Sequence, residues 1–146
     1  MSWIETRVEY HKIKGKQVYG KENCPFCDIQ GNIQSIMWEW KYWYIIKNIF
    51  PYSGQENHLM LVPYRHIAFS YHLSSEETTE LSDAYKFLKN FYGEENYFST
   101  TRESMANRSV EHLHTHFLPG RLQWKYIRNM LMNQGFPVIE YIDEKK

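Results

Sequence analysis

The stretch Ser109-Val-Glu-His-Leu-His-Thr-His-Phe-Leu-Pro119 repeats histidine at every second position. We predict a strand from Val110 to Leu118, and side chains alternate between the two faces of a strand. His112, His114 and His116 would then project together from one face, toward solvent. Three imidazoles on a wet face bury no apolar surface, so stability explains them poorly. Because imidazole is close to neutral at physiological pH, it can act as nucleophile, base or metal ligand, and the pattern indicates a chemical site.

The length and charge of the chain indicate one small domain without a polyanionic partner. The chain has 146 residues, and Lys plus Arg balance Asp plus Glu at 17 each. Proteins that bind nucleic acid normally carry a basic excess, so we expect no large nucleic-acid surface. The balanced charge does not exclude a small pocket for one phosphorylated ligand. No apolar run reaches the length of a transmembrane helix, and residues 1–17 are too polar for a secretory signal. We therefore expect a cytoplasmic protein with no membrane contact.

Periodicity and turn residues outline an α+β fold, with an antiparallel sheet of about five strands. Alternation and β-branched or aromatic residues predict the other strands at Val8–Tyr19, Trp40–Asn48, His58–Val62 and Tyr97–Thr101. The main helix begins after Ser74, which forms a capping box with Glu77, and it ends at Gly93. A shorter C-terminal helix is predicted from the spacing of Leu122, Tyr126, Ile127, Met130 and Leu131.

Cys24 and Cys27 are the only cysteines of the chain, and they lie in a turn-rich segment. A Cys-x-x-Cys pair in an intracellular protein supplies half of a tetrahedral zinc site. One alternative is a thiol–disulfide motif, which follows a buried strand and opens a helix. Neither Gly20–Asn23 before the pair nor Asp28–Gly31 after it fits that pattern. Zinc is therefore the preferred interpretation, and a cysteine pair without metal is the remaining alternative.

Together, these stretches resemble the histidine triad (HIT) family. Ser109–Pro119 resembles the family signature, in which three histidines alternate with other residues after a serine. Cys24–Ser35 resembles the opening of the zinc-containing, bacterial-type members, while Asn48–Pro51 and His58–His66 resemble their middle segment. The resemblance covers Cys24 to Pro119 in the expected order. It implies a single HIT domain over residues 1–146, with a core at about 20–120, an N-terminal extension at 1–19 and a C-terminal segment at 121–146.

The resemblance also implies the activity of a nucleotide hydrolase or nucleotidyl transferase. His114 would attack the α-phosphorus of a nucleotide and form a covalent nucleotidyl-histidine. His116 would bind phosphate oxygens and help to protonate the leaving group, and Ser109 would donate a hydrogen bond to a non-bridging oxygen. His112 completes the triad, and backbone N–H groups beside it would stabilise the developing charge. The implied substrates are purine nucleotides, either dinucleoside polyphosphates or nucleoside phosphoramidates.

The same resemblance assigns a nucleotide pocket, a structural zinc ion and a dimer. Asn48 would hold the ribose hydroxyls. The base would lie in an apolar slot, for which core packing is an equal alternative, formed by Phe26, Ile29, Ile46 and Ile49. The zinc ligands would form a closed set that leaves no position for water, namely Cys24, Cys27, His66 and His112. Histidine triad proteins usually pair through the main helix and an adjacent strand, here near Tyr97, so we expect a homodimer.

The chain departs from the family pattern in two places. The loop between Pro51 and His58 is slightly longer than usual, which would reshape the ribose pocket. Before the triad, Thr100–Ser109 lacks the Asn-x-Gly that the family commonly has, and Arg108 stands where glutamine is frequent. Arg102 or Arg108 could reach phosphate or could be an arginine on the solvated surface.

Three other functions fit parts of the pattern. One is a nucleotide-binding module with little turnover, although binding alone does not need His114. A second is a thiol oxidoreductase that uses Cys24 and Cys27. A third is a metal enzyme in which the three histidines bind one catalytic ion. The intact triad after Ser109 favours the nucleotide hydrolase or transferase over all three.

Overall fold

Residues 18–49, 57–105, 108–119 and 124–133 are the part of the chain that the computed structural model describes. Over these residues the fold is α+β, with one open five-stranded antiparallel sheet and few helices, as the sequence predicts. The helices are α1 (Ile29–Asn32), α2 (Ser75–Tyr92) and α3 (Trp124–Asn133), with a 3-10 helix at Ser70–His72. The strands are β1 (Ile36–Glu39), β2 (Trp43–Lys47), β3 (Leu59–Pro63), β4 (Tyr97–Thr100) and β5 (Thr115–Pro119).

The strands lie in the order β1-β2-β3-β5-β4, and neighbours are antiparallel throughout. All five residues of the central strand β3 are buried, because both faces of the sheet are covered. One face packs against α2, and this core consists of Trp43, Ile45, Leu59, Leu61, Phe117, Ala84, Leu88 and Tyr92. The opposite face, hereafter the site face, has a second core of Tyr44, Ile46, Met60, Val62, Cys24, Phe26 and Val110.

The first turn of α2 has the capping box that the sequence predicts. Ser74 Oγ accepts a hydrogen bond from the Glu77 amide at 3.1 Å, and the Ser74 amide donates to Glu77 Oε1 at 2.8 Å. Arg65 donates to the same carboxylate at 2.7 Å, and Trp43 Nε1 donates to the Glu77 carbonyl at 2.7 Å. The helix ends at Gly93, whose φ of +64° lies in the left-handed region that favours glycine.

The strand that carries the histidines is shorter than predicted, because β5 includes only the last of them, His116. Upstream of β5, the backbone bonds to separate segments of the chain. The Glu111 amide donates to the Val18 carbonyl at 2.8 Å, and the Leu113 amide donates to the Ile67 carbonyl at 2.7 Å. The first half of the predicted strand therefore bonds to two separate segments, at Val18 and at Ile67, and does not pair continuously with one neighbouring strand.

Other elements differ from prediction mainly at their ends. The pairing of β1 with β2 was not predicted, since β1 has no buried residue and exposes Trp38. Helix α1 is a single turn within the segment predicted as turns, capped by Asp28. Of the predicted first strand, Val18 forms an isolated bridge with Val110, while residues 8–17 lie outside the described part, as do Leu122 and most of the loop before His58. Helix α3 confirms the shorter C-terminal helix.

Among the described residues, no helix has the length and apolar character that crossing a membrane would need.

Replacing Glu77 with glutamine should lower the free energy of unfolding by about 1–2 kcal/mol at neutral pH, because the buried carboxylate serves both the helix cap and Arg65. Burial raises the pKa of Glu77, but hydrogen bonds from Arg65 and Ser74 outweigh burial and hold the pKa below its ordinary value of 4.5. The stabilisation is therefore present above that ordinary value and is lost as pH falls through the lowered pKa. The two proteins should become similar in acid.

Urea denaturation at neutral pH and in acid measures both effects. Glu76→Gln is the matched control, because Glu76 is exposed in the same helical turn and carries the same charge. This control should change the free energy of unfolding by less than about 0.5 kcal/mol. Equal stability of the two variants at neutral pH would contradict the role assigned to Glu77.

Candidate active site and metal cluster

Four cysteine and histidine side chains from three segments converge at the site face. Cys24 and Cys27 precede α1, His66 follows β3, and His112 precedes β5, and one ligand atom of each lies within 4.8 Å of the others. His112 Nδ1 is 3.5 Å from each cysteine sulfur. His66 Nδ1 is 3.3 Å from Cys27 Sγ and 3.2 Å from His112 Nδ1. The structure thus brings together all four residues that the sequence assigns to a metal ion.

The separations in this cluster suit a tetrahedral ion of the size of zinc. With Zn–S near ~2.3 Å and Zn–N near ~2.05 Å, tetrahedral geometry gives sulfur–nitrogen edges of about 3.5 Å and nitrogen–nitrogen edges of about 3.3 Å. The corresponding edges here are 3.3–3.5 Å and 3.2 Å. Within the described part of the chain, no other cluster of three or more potential ligands occurs. The four residues could therefore hold a metal ion.

The second nitrogen of each imidazole in the cluster is also engaged. His112 Nε2 donates to the carbonyl oxygen of Pro63 at 2.7 Å, and since a carbonyl only accepts, Nδ1 carries the lone pair. His66 Nε2 lies 2.9 Å from Glu111 Oε1. Burial lowers the pKa of His112 to about 4, which keeps its imidazole neutral. Both rings therefore present Nδ1 to the cluster.

The prediction that all three imidazoles lie on a wet face is wrong for His112. His112 is completely buried and faces the cysteines, whereas His114 and His116 are half-buried, with ring centroids 4.9 Å apart. Because both nitrogens of His112 have partners away from the other two rings, the three histidines cannot bind a single catalytic ion. The alternative of a three-histidine metal enzyme therefore fails.

The surroundings of the cysteine pair also argue against a thiol oxidoreductase. Burial raises the pKa of the Cys24 thiol to about 11, whereas a redox-active thiol needs a lowered pKa. A helix does follow the pair, contrary to expectation, but α1 is only one turn long. Turns at Lys21–Asn23 precede the pair, where a thiol–disulfide motif would have a buried strand. A bound metal ion would instead stabilise both thiolates.

His114 has one ring nitrogen fixed and the other available. Nδ1 lies 2.8 Å from the carbonyl oxygen of His112, so Nδ1 donates its proton there and Nε2 keeps its lone pair. Burial lowers the pKa of His114 to about 4, so the ring is neutral at physiological pH. The ring also contacts Phe26, with centroids 4.9 Å apart. A neutral imidazole held in one orientation is suited to nucleophilic attack.

A further histidine, His58, supports His116. It is completely buried, and its Nε2 lies 2.7 Å from His116 Nδ1. Asn48 Nδ2 lies 3.3 Å from His58 Nδ1 and 3.5 Å from His58 Nε2. His58 Nε2 and His116 Nδ1 share one proton in their hydrogen bond. Burial lowers the pKa of His58 to about 3, which keeps its own imidazole neutral.

His58 was not predicted to belong to the site. The sequence nevertheless contains a signal for its role, since His58 directly precedes the apolar strand Leu59–Pro63. A histidine at such a position is buried and needs a hydrogen-bonding partner. Asn48 was predicted to hold the ribose. In the structure its side chain contacts the ring of His58, which in turn contacts His116.

Ser109 lies close to the triad in sequence and has an unusual environment. Its Oγ is buried, and among the described residues it has no hydrogen-bond partner. Buried hydroxyl groups normally have one, because leaving such a group unsatisfied costs free energy. A ligand oxygen would supply the missing partner.

Arg108 anchors the backbone in front of the triad. Only 2% of it is exposed, so the alternative of an arginine on the solvated surface is wrong for this residue. Its guanidinium donates to three backbone carbonyls, those of Ala68, Arg102 and Glu111. After burial, the charge of Arg108 is a further cause of the lowered pKa of His114. Arg108 therefore places a positive charge near the triad while its donors hold the protein backbone.

The residues assigned to the base slot differ in exposure. Phe26 and Ile46 are buried in the second core, Ile29 is half-buried against it, and Ile49 is 68% exposed. The ring of Phe26 contacts that of His114. The structure thus brings the first three onto the site face and leaves Ile49 at the surface.

The five-stranded α+β fold of this chain is HIT-like, because it matches that of solved HIT family structures. No protein-family model and no curated protein sequence matches the chain, whereas solved structures do. A HIT family hydrolase from Legionella pneumophila is 29% identical, with a TM-score of 0.56 over 70% of this chain and 97% of that chain. A HIT family hydrolase from Clostridium thermocellum is 28% identical, with a TM-score of 0.57 over 70% and 94%.

A more distant neighbour has the same fold. Diadenosine triphosphate hydrolase from Plasmodium falciparum is 16% identical, with a TM-score of 0.53 over 70% of this chain and 75% of that chain. The two HIT family hydrolases confirm the resemblance to the histidine triad family that the motifs predicted.

Proposed function

We propose that this protein is a nucleotide hydrolase or nucleotidyl transferase of the HIT type, which cleaves at the α-phosphate of a nucleotide. The orientation of His114 carries the proposal, because its Nδ1 proton goes to the His112 carbonyl and its Nε2 is left as a neutral nucleophile. A module that only binds nucleotides would not need this arrangement. Two structural neighbours are HIT family hydrolases, and another is a diadenosine triphosphate hydrolase, which supports substrates with phosphoanhydride bonds.

In the first step, Nε2 of His114 attacks the α-phosphorus. A nitrogen–phosphorus bond forms while the bond from phosphorus to the leaving group breaks. His116, as the imidazolium, donates its Nε2 proton to the leaving group, which is the remaining phosphate chain of a dinucleoside polyphosphate or the amine of a phosphoramidate. The contact between His58 Nε2 and His116 Nδ1 supports this assignment, since the neutral His58 can accept from Nδ1 and leave the Nε2 proton of His116 for transfer.

In the second step, water attacks the nucleotidyl-histidine and the nitrogen–phosphorus bond breaks. His116, which has lost its proton, now accepts one from the water, so that the nucleotide leaves and both imidazoles return to their starting forms. In a transferase, another acceptor such as phosphate would take the place of water.

Other residues would bind the substrate. Ser109 would donate its hydroxyl hydrogen to a non-bridging oxygen, and its buried, unsatisfied Oγ supports this role. Asn48 would hold the ribose hydroxyls. The contact between Phe26 and the His114 ring supports a base slot beside the phosphate, lined by Phe26, Ile29, Ile46 and Ile49.

We infer that the metal of the cluster is zinc, since two sulfur and two nitrogen donors at tetrahedral separations favour it. Cys24, Cys27, His66 and His112 would hold the ion, and its chemistry would be structural because the four side chains complete its coordination. The ion would join the cysteine segment to the stretch that carries His114. We also propose that the chain is a single domain and is cytoplasmic, since the cytoplasm keeps cysteines reduced and able to bind the metal.

His114→Ala should remove nearly all turnover, at least about 10³-fold, because no other group in the site replaces the nucleophile. Nucleotide binding should persist, since the base slot and Asn48 remain. Release of AMP or ADP from dinucleoside polyphosphates and adenylated amines measures turnover, and a labelled adenylated substrate should leave its label on the wild-type protein. His72→Ala is the matched control, as His72 is an exposed histidine outside the site. Wild-type turnover by His114→Ala would disprove the mechanism.

The purified protein should contain about one zinc ion per chain. Cys24→Ser should lose both the metal and thermal stability, because the free energy of metal binding contributes to folding. Metal analysis and thermal melting measure the two losses, and chelator-treated wild type serves as the comparison, since added zinc should restore only the wild-type protein. A metal-free protein with the melting temperature of the zinc-loaded one would contradict the proposal.

We also expect a homodimer, in which β4 pairs with its copy across a two-fold axis and α2 packs beside it. Among the described strands, β4 is an edge that pairs only with β5, and such edges are normally covered or paired. Light scattering at micromolar concentration should give the mass of two chains. The mass of one chain would count against the dimer.

A further inference from the structure

Glu111 immediately precedes the first triad histidine, and it contacts the metal cluster from outside. Its Oε1 lies 2.9 Å from His66 Nε2 and also accepts a hydrogen bond from the Gly20 amide at 3.1 Å. At the same time, His66 Nδ1 is 3.3 Å from Cys27 Sγ and 3.2 Å from His112 Nδ1. The imidazole of His66 therefore lies between a carboxylate and the cluster.

This carboxylate determines which form of His66 faces the cluster. A carboxylate accepts hydrogen bonds and does not donate them when ionised, so it selects the imidazole that carries hydrogen on Nε2 and a lone pair on Nδ1. Only that form can bind a cation through Nδ1. The negative charge also makes Nδ1 a stronger electron donor, as is common where carboxylates support metal-bound histidines.

Backbone hydrogen bonds fix the position of Glu111. Its amide donates to the Val18 carbonyl at 2.8 Å, and its carbonyl accepts from Arg108 Nη1 at 2.9 Å. The side chains of His66 and Glu111 are only 9% and 28% exposed. A hydrogen bond that is partly shielded from water in this way is stronger than one at the surface.

The charges of the surroundings are consistent with this role. Two thiolates neutralise a divalent cation, so Glu111 adds one further negative charge next to the cluster. The buried guanidinium of Arg108 offsets that charge and is hydrogen-bonded to the backbone of the same residue. By contrast, His112 has a neutral carbonyl, that of Pro63, behind it. One charged and one neutral acceptor therefore orient the two imidazoles.

We propose that Glu111 is a positioning residue of the metal cluster, which holds His66 in the tautomer and orientation that bind the ion. The inference rests on the metal centre proposed above. Glu111 acts through His66 and touches neither the ion nor the substrate.

Zinc affinity is the direct test, measured on the full chain after chelation by titration against a chromophoric chelator. Glu111→Ala should bind zinc roughly 10- to 100-fold more weakly than wild type. Glu111→Gln should lose less, because its amide oxygen can still accept from His66. Glu103→Gln is the matched control, since this carboxylate is bonded to Ser70 and is not part of the cluster; it should retain wild-type affinity.

Each outcome has a clear meaning. Wild-type zinc affinity in both Glu111 variants would overturn the inference while leaving the metal centre intact, even if their melting temperatures fell. If Glu111→Ala does not fold, the Glu111→Gln variant decides by the same criterion. A wild-type chain that takes up no zinc would overturn the metal centre and the inference together, and the His114 assay would still test the nucleotide chemistry separately.

Discussion

The buried imidazole of His112 is the contact on which the arrangement of the site depends. Nε2 donates to the carbonyl of Pro63 at the end of β3, while Nδ1 lies 3.5 Å from each cysteine sulfur. Because the ring has no exposure to solvent, water cannot replace either partner. Loss of one partner leaves a buried polar atom unsatisfied, at a cost of about 1–3 kcal/mol. The central strand and the cysteine segment are therefore held against the stretch that contains His114.

The same residue connects the cluster to His114, the proposed nucleophile. The ring of His112 belongs to the cluster, and its backbone carbonyl accepts the Nδ1 proton of His114. A shift of this backbone would rotate His114 and change which nitrogen keeps the lone pair. His58 likewise holds the ring of His116, through the contact between His58 Nε2 and His116 Nδ1. A metal ion in the cluster would therefore influence the orientation of His114 without contacting it.

Local patterns allowed much of this to be predicted from the sequence. The capping box at Ser74 and Glu77 depends on residues three apart, and the confirmed resemblance depends on motif order. What escaped prediction depends on contacts between distant segments. The stretch before β5 bonds to Val18 and Ile67. No periodicity in the sequence shows that the backbone of this stretch will not pair with a neighbouring strand. The burial of Arg108 likewise depends on carbonyls contributed by separate loops.

Strand β3 serves both faces of the sheet with alternate residues. Leu59 and Leu61 pack toward α2, whereas Met60 and Val62 pack toward the site face. Inserting or deleting one residue in this strand would exchange the two sets, since the side-chain period is two. It would also move His58 and Pro63 by one position relative to each other, although each supports a different triad imidazole. The length of this strand is therefore as constrained as its composition, and changes in chain length are restricted to the loops and the two ends.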